Sequence, residues 1–400
     1  MPRILRIVNR LSIGGPTLNV AYLSKYLPSD YETLLVSGAS EKEEKSSAHI
    51  VRDLGIEPVF VDKMKRAISP TNDTGAYYQI REIIRKFKPD IVHTHAAKAG
   101  ALGRLAAAHE NVPVIVHTFH GHVFHSYFSA LASQFFLQAE RYFAKKSTKI
   151  IAISQQQLIE LCDQYQVAPR EKFEVIPLGF DLTRFQHDYE PKRIKFRKEF
   201  NLDHDTIAIG IIGRLVGVKN HELFLKGISH LMANTNQKFR AFIVGDGELR
   251  QQLEIQASQL NIPFNVETDT FFDKPLVFTS WRSDIDTINA GCDLICLTSH
   301  NEGTPVSLIE AQASNNPILS TRVGGISDIV REGETAILCE PNDVEDFSAK
   351  LLELVNNNKR RNTMGHQGYD FVIENYHYKR LCNDMDELYQ RLLVRELQAW

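Results

Sequence analysis

Two carboxylates separated by seven residues mark the richest stretch of the chain, SHNEGTPVSLIEAQ (299–312). Glu302 falls in the loop after an apolar run, and Glu310 falls about one and a half turns into the helix that follows. They point into one crevice at different depths, which suits two hydroxyl-rich groups such as a hexose and a ribose. Gly303, Thr304, Pro305 and Val306 open that helix, and its first turn offers unused backbone N–H groups to a phosphate or a sugar. Upstream, GRLVGVKN (213–220) sets Arg214 at the tip of a strand and Lys219 at the start of the next helix. Both can reach one diphosphate, Arg through paired donors and Lys as a point charge. Each residue taken alone is an ordinary solvated or capping charge. The combination is not.

The first half carries a different set. SIGGPTLNV (12–20) follows the first strand, and Gly14 and Gly15 let backbone approach a ligand at a helix start. The loop does not match GxGxxG, and no acidic residue clearly caps a second strand for a ribose, so dinucleotide binding is weakly supported. His93, His95, His117, His120, His122 and His125 cluster near strand ends. No carboxylate accompanies them and the spacing is not HExxH, which argues against a metal site. His120, followed by Gly121 at a strand end, is the best placed to face a cleft.

These residues need a scaffold. Apolar, β-branched runs at 4–9, 33–38, 58–62, 90–95, 113–118, 149–154 and 173–178 alternate with helix-length segments. The runs lack polar alternation, so they read as strands buried on both faces of a parallel sheet. After a charged stretch at 187–205 the pattern restarts, with strands at 206–213, 240–245, 276–281, 293–299, 316–321 and 336–341. Two α/β Rossmann-like domains in tandem follow. Residues 261–281 read as either an extra strand or a long loop. The chain ends in long helical segments, and the last can cross back to the first domain.

Of the 400 residues, 43% are hydrophobic and 24% charged, which excludes collagen, a disordered tail and a disulfide scaffold. Residues 1–180 carry 22 Lys and Arg against 17 Asp and Glu, and the remainder carries 24 against 32. The basic first half suits an anionic partner, although random drift in surface charge explains the imbalance equally well. The overall charge of −3 gives no nucleic-acid footprint. Five cysteines, with no CxxC pair, form a reduced-compartment pattern. No apolar run approaches a membrane span and the N-terminus has too short an apolar stretch for a signal peptide. The expectation is a cytoplasmic protein with any membrane contact peripheral.

Taken together, the strings GG (14–15), HTHAAKAGALGR (93–104), HTFHGHVF (117–124), VIPLGFDLTRF (175–185), GRLVGVKN (213–220), VGDGELR (244–250) and EGTPVSLIEA (302–311) resemble the retaining glycosyltransferases of the GT-B fold, family 4. The resemblance implies two Rossmann-like domains facing a cleft: residues 1–185 for the acceptor and 186–376 for the nucleotide sugar. Residues 377–400 would form a helix packing back on the first domain. It implies that Arg214 and Lys219 hold the diphosphate, Glu310 the ribose, and Glu302 the donor sugar with the backbone from Gly303 to Val306. Gly15 would approach the phosphate, His120 would lie beside the reacting centre, and Arg282 would contact the base. Gly14, Asn19 and His122 are the acceptor candidates. No metal or other cofactor is expected. Closure is expected through a 180–205 hinge and the C-terminal helix.

Two departures stand out. Many members have His or Arg at the position of Asn19, and Phe-Gly where this chain has Thr304-Pro305. The latter form resembles the capsule, O-antigen and exopolysaccharide branches, which implies a growing lipid-linked oligosaccharide as acceptor, while the family as a whole implies a UDP-sugar donor. The aromatic segment 127–146 reads as a membrane-docking face or as an internal helix rich in Phe. A nucleotide-sugar epimerase of the same two-domain fold is the alternative activity, and an inactive sugar-binding partner subunit the alternative class.

Overall fold

The computed structural model describes residues 1–11, 15–39, 48–65, 67–121 and 130–398. They divide into two compact units, Met1–Phe180 with Tyr376–Trp400, and Asp181–Asn375.

In the first unit, β1 (Arg3–Arg10), β2 (Glu32–Gly38), β3 (Val59–Val61), β4 (Ile91–His95), β5 (Val114–Phe119), β6 (Lys149–Ala152) and β7 (Phe173–Val175) form one sheet in the order β3-β2-β1-β4-β5-β6-β7. Every pairing is parallel. β4 and β5 are buried along their whole length, as their unalternating sequences demand. In the second unit, β8 (Ile207–Ile212), β9 (Phe239–Val244), β10 (Phe264–Val266), β11 (Leu276–Phe278), β12 (Leu294–Leu297), β13 (Ile318–Thr321) and β14 (Ala336–Cys339) form a second parallel sheet, ordered β10-β11-β9-β8-β12-β13-β14. Residues 261–281 thus hold two three-residue strands joined by a loop. In both sheets the strand order reverses beside the first strand, between β1 and β4 and between β8 and β12. Ligands of open α/β sheets bind beyond the strand ends at such points.

The C-terminal helix, Tyr378–Gln398, belongs to the first unit. Leu381, Met385, Leu388, Tyr389 and Leu392 recur at helical spacing and are buried with Ile4, Leu23, Ile91, Val114 and Val116. Each fully buried aliphatic side chain contributes about 1.5–3 kcal/mol, so this stripe anchors the helix firmly.

The structure corrects two details. The unit boundary falls at Phe180, not 185, because the short helix Thr183–Gln186 packs against helices Ile285–Gly291 and Val306–Ala313 of the second unit. No element was expected in the charged stretch 187–205. It contains helix Tyr189–Glu199, whose Phe196 is fully buried and packs its ring at a tilt against Phe200 and Phe242. Arg193 from the same helix donates to the carbonyls of Ala290, Gly291 and Cys292 and pairs with Asp293 at 2.6 Å.

Candidate active site

The β8/β12 switch point gathers the charged residues. β8 ends at Ile212, and Gly213 and Arg214 follow at its tip. The Arg214 guanidinium is exposed and meets no carboxylate among the described residues. Gly217–Lys219 forms one turn of 3-10 helix that leads into helix His221–Asn234. β12 holds this turn from the side. Thr298 Oγ1 donates to the Asn220 carbonyl (2.9 Å) and the Lys219 carbonyl (3.2 Å), and the His300 N–H donates to the Val218 carbonyl (2.8 Å).

Lys219 Nζ thereby reaches Glu302 Oε1 at 2.6 Å, and Ser299 Oγ donates to the same oxygen at 2.5 Å. The loop carrying Glu302 is fixed from below. The Gly325 N–H donates to the Glu302 carbonyl (3.1 Å), and Thr321 Oγ1 donates to the Ser299 carbonyl (2.7 Å). The approach is so close that a Cβ on Gly324, at φ +49°, would sit 1.9 Å from the Glu302 carbonyl oxygen. Only glycine fits there.

Helix Val306–Ala313 starts after Pro305 without a side-chain cap, so its first N–H groups are free for an anion. A Cβ on Gly303 would meet nothing within 4 Å, so the backbone at this corner opens on empty space. Glu310 lies deeper. Its side chain is 19% exposed, and burial pushes its pKa up from 4.5 to about 7. Its neighbour is Arg184, whose Nη2 stands 3.4 Å from Glu310 Oε1. An unpaired guanidinium, a lysine and an uncapped helix end can neutralise a diphosphate, and two carboxylates at different depths can accept from hydroxyls.

Arg282 stands apart. Its guanidinium bonds to both oxygens of Asp284 at 2.8 Å and to Glu199, and lies over the Phe200 ring. These partners raise its pKa further and hold the side chain in place.

The first unit carries the histidines at the ends of β4 and β5. His93 Nδ1 meets Tyr389 Oη at 2.6 Å and His93 Nε2 meets Thr118 Oγ1 at 2.8 Å. His95 Nδ1 lies 3.0 Å from His120 Nε2. His117 turns to the opposite face, where it bonds to Thr94 Oγ1 at 2.9 Å. Burial holds all four rings neutral, with His120 pushed down to about 4. Asn19 is buried in helix Gly15–Tyr26, and its Oδ1 has no hydrogen-bond partner among the described residues. Gly15 is the first residue of that helix. Gly14 and His122 lie outside the described residues, as does His125. Among the described residues, no group of three or more His, Cys, Asp or Glu could hold a metal ion, and no helix is long and apolar enough to cross a membrane.

Sequence reasoning missed Arg184, Ser299, Tyr389 and the pairing of His95 with His120. The only available signal was His93 and His95 two apart in a strand, hence on one face.

Residues 192–371 match the family described as glycosyl transferases group 1, and residues 13–184 match glycosyltransferase family 4. Over 345 residues, 86% of each chain, the sequence is 29% identical to the UDP-Gal:alpha-D-GlcNAc-diphosphoundecaprenol alpha-1,3-galactosyltransferase of Escherichia coli. It is 25% identical to the capsular polysaccharide biosynthesis glycosyltransferase CapM of Staphylococcus aureus, covering 88% of this chain and 92% of that one. The solved structure of Anabaena Alr3699/HepE in complex with UDP superposes with a TM-score of 0.79 at 18% identity, covering 98% of this chain and 100% of that one. With both parts of its length matched in order and its two parallel sheets shared, the chain belongs to the family 4 glycosyltransferases and has the GT-B fold.

Proposed function

We propose that this glycosyltransferase moves a hexose or N-acetylhexosamine from a UDP-sugar to a lipid-linked saccharide, with retention at the anomeric carbon, in surface polysaccharide synthesis. The Lys219–Glu302 pair beside the unpaired Arg214 and the uncapped helix end supports this reading most. The names of two relatives, a galactosyltransferase acting on a diphosphoundecaprenol-linked sugar and a capsule glycosyltransferase, point the same way. A structural neighbour was solved with UDP.

In this reading Arg214 and Lys219 stabilise charge as it builds on the leaving diphosphate, with the N–H groups of Val306 and Ser307. Glu302, released from Lys219 as the diphosphate arrives, accepts from the sugar hydroxyls. Glu310 exchanges Arg184 for the ribose hydroxyls. The bond from the anomeric carbon to the diphosphate oxygen breaks, and the new bond to the acceptor oxygen forms on the same face. The acceptor proton passes to the leaving phosphate oxygen. Two cations and a helix end supply the positive charge, so no metal is required. His120 lies beside the reacting centre, and Asn19 belongs to the acceptor side.

The acceptor's lipid favours a cytoplasmic enzyme that touches the membrane peripherally. Helix Ala130–Lys146 offers a face for it. Phe135 is 71% and Tyr142 50% exposed, Lys146 Nζ lies 5.2 Å from the Tyr142 ring centre, and Lys145 and Lys146 end the helix.

Calorimetry with UDP-glucose, UDP-galactose, UDP-GlcNAc, UDP-GalNAc, GDP-mannose and UDP, for wild type and Lys219→Ala, tests the donor. Binding of one UDP-sugar, weakened in the variant, is expected. Equal binding by both proteins would refute the diphosphate site. Turnover of the donor without acceptor, giving an epimer, would favour the epimerase reading instead. The anomeric configuration of the product, read by NMR, tests retention.

A further inference from the structure

β12 runs out into two hydroxyl residues, Thr298 and Ser299, and both are fully buried. A buried hydroxyl costs free energy unless it is hydrogen-bonded, so their partners are informative. Thr298 holds the turn that carries Lys219, through the carbonyls of Lys219 and Asn220. Ser299 holds the other side of the charged site. Its Oγ donates to Glu302 Oε1 at 2.5 Å. Lysine and carboxylate are thus both tied to adjacent residues of one strand end, at the point where the strand order reverses.

Glu302 receives its two donors on one oxygen. Lys219 Nζ meets Oε1 at 2.6 Å, beside the Ser299 hydroxyl. A carboxylate has about four acceptor positions over its two oxygens. Oε2 takes no hydrogen bond among the described residues and is not one of the buried atoms that lack a partner, so it faces open space. The two donors differ in freedom. Lys219 is a point charge on a flexible four-carbon stem, and a diphosphate can draw it away. Ser299 Oγ is attached directly to Cβ, and Thr321 Oγ1 fixes the backbone there by donating to the Ser299 carbonyl at 2.7 Å. Once the lysine turns to a diphosphate, the serine hydroxyl still orients the carboxylate.

We propose that Ser299 is a positioning residue for donor-sugar recognition: it keeps Glu302 Oε1 in place after Lys219 has left, so that Oε2 meets the sugar hydroxyls at a fixed point. The proposal rests on the reading that Glu302 accepts from the donor sugar. A carboxylate free to turn follows a hydroxyl to either of two epimeric positions. One held by a serine does not, and Ser299 thereby sets how sharply epimeric donors are told apart.

Calorimetry with UDP, UDP-glucose, UDP-galactose, UDP-GlcNAc and UDP-GalNAc compares the wild type with Ser299→Ala, Glu302→Gln and the double variant. Thermal unfolding checks that each is folded. In Ser299→Ala the affinity for the best-bound UDP-sugar should fall about 10-fold, the scale of one hydrogen bond to a charged group. UDP, which has no sugar, should bind as before. The preference between that donor and its epimer should narrow. In the Glu302→Gln background Ser299→Ala should add little, because a residue that acts through another is not additive with it. Equal losses for UDP and the UDP-sugar would make Ser299 a support of the whole loop and overturn the proposal. So would a full second loss in the double variant, or wild-type binding by Ser299→Ala beside an impaired Glu302→Gln. Both of these leave the reading of Glu302 intact. Wild-type binding by Glu302→Gln overturns that reading and the proposal with it. Should Ser299→Ala fail to fold, Ser299→Cys decides, since a thiol is a weak donor: an unchanged ratio of UDP-sugar to UDP affinity overturns the proposal.

Discussion

The two sheets share a strand order and differ in what they place at the point where it reverses. Beyond β8 and β12 the groups are charged: Arg214, Lys219, Glu302 and Glu310, two of them in contact. Beyond β4 and β5 they are neutral: His95 and His120 in contact with each other, both held uncharged by burial. The backbone architecture therefore decides where a ligand sits, and side-chain chemistry decides which. The charged end suits an anionic donor that can displace an internal ion pair. The neutral end suits hydroxyl groups, for which an uncharged nitrogen is an adequate partner and a buried charge would be a cost.

The largest expected effect tests the charged end. Lys219→Ala should lower kcat about 10²–10³-fold, as loss of a comparable charge-stabilising donor does elsewhere, and should leave Glu302 without its ammonium partner. Steady-state kinetics check it. A similar loss from a substitution at His120, with Lys219→Ala active, would invert the comparison and move the charge stabilisation to the neutral end.

Glu310 sharpens the comparison by pH. Its folded pKa of about 7 lies above the 4.5 of an exposed carboxylate. Between those values the folded chain binds the proton and the unfolded chain does not, so this group's contribution to stability falls as pH rises from about 4.5 to 7. Glu310→Gln removes that slope. The variant should gain on the wild type by up to about 3 kcal/mol across the window, measured by urea unfolding at several pH values. UDP affinity should move oppositely in the wild type, rising with pH as the carboxylate forms, and should be flat in the variant. A wild-type stability that rises through this window by the same amount as the variant's would show Glu310 to be ionised throughout.

Much of the scaffold was legible in the sequence because parallel strands buried on both faces leave unbroken apolar runs. The 261–281 region was not, since β10 and β11 are three residues each and their loop is held by side chains: Asn265 Oδ1 accepts from the N–H groups of Asp273 and Lys274, Asp269 Oδ2 from that of Val266, and Asn201 Oδ1 from that of Phe272. Helix Tyr189–Glu199 was not legible because its anchor is the single fully buried Phe196 among charged residues. Arg214, Lys219, Glu302 and Glu310 were readable from local spacing alone. The carboxylates that hold Arg282 were not legible, since one of them, Glu199, lies 83 residues away. The pairing of His95 with His120 needs the β4–β5 register, and the Tyr389–His93 bond spans 296 residues.

At the neutral end, Tyr389→Phe should cost about 1–3 kcal/mol, because Arg6 loses an acceptor and His93 Nδ1 a donor inside the core. Thermal unfolding checks it. A loss below that of an exposed tyrosine would mean that water replaces the hydroxyl, and the stripe would then be less tightly ordered than its geometry indicates.

The smallest effect on stability belongs to neither strand edge. Phe135 and Tyr142 lie on the solvent side of helix Ala130–Lys146, and Lys146 Nζ lies 5.2 Å from the Tyr142 ring centre. Replacing both aromatics by Ser removes little packing, so stability should change by no more than about 0.5 kcal/mol. Binding to vesicles containing anionic phospholipid should nevertheless fall several-fold, because the exposed rings supply the apolar contact and the neighbouring cations the attraction to the headgroups. Sedimentation with vesicles at low and high salt separates the two contributions. Loss of stability without loss of vesicle binding would mark the aromatics as packing residues. Helix Ala130–Lys146 would then be an internal support for β5 and β6, with any lipid contact made elsewhere on the basic first unit.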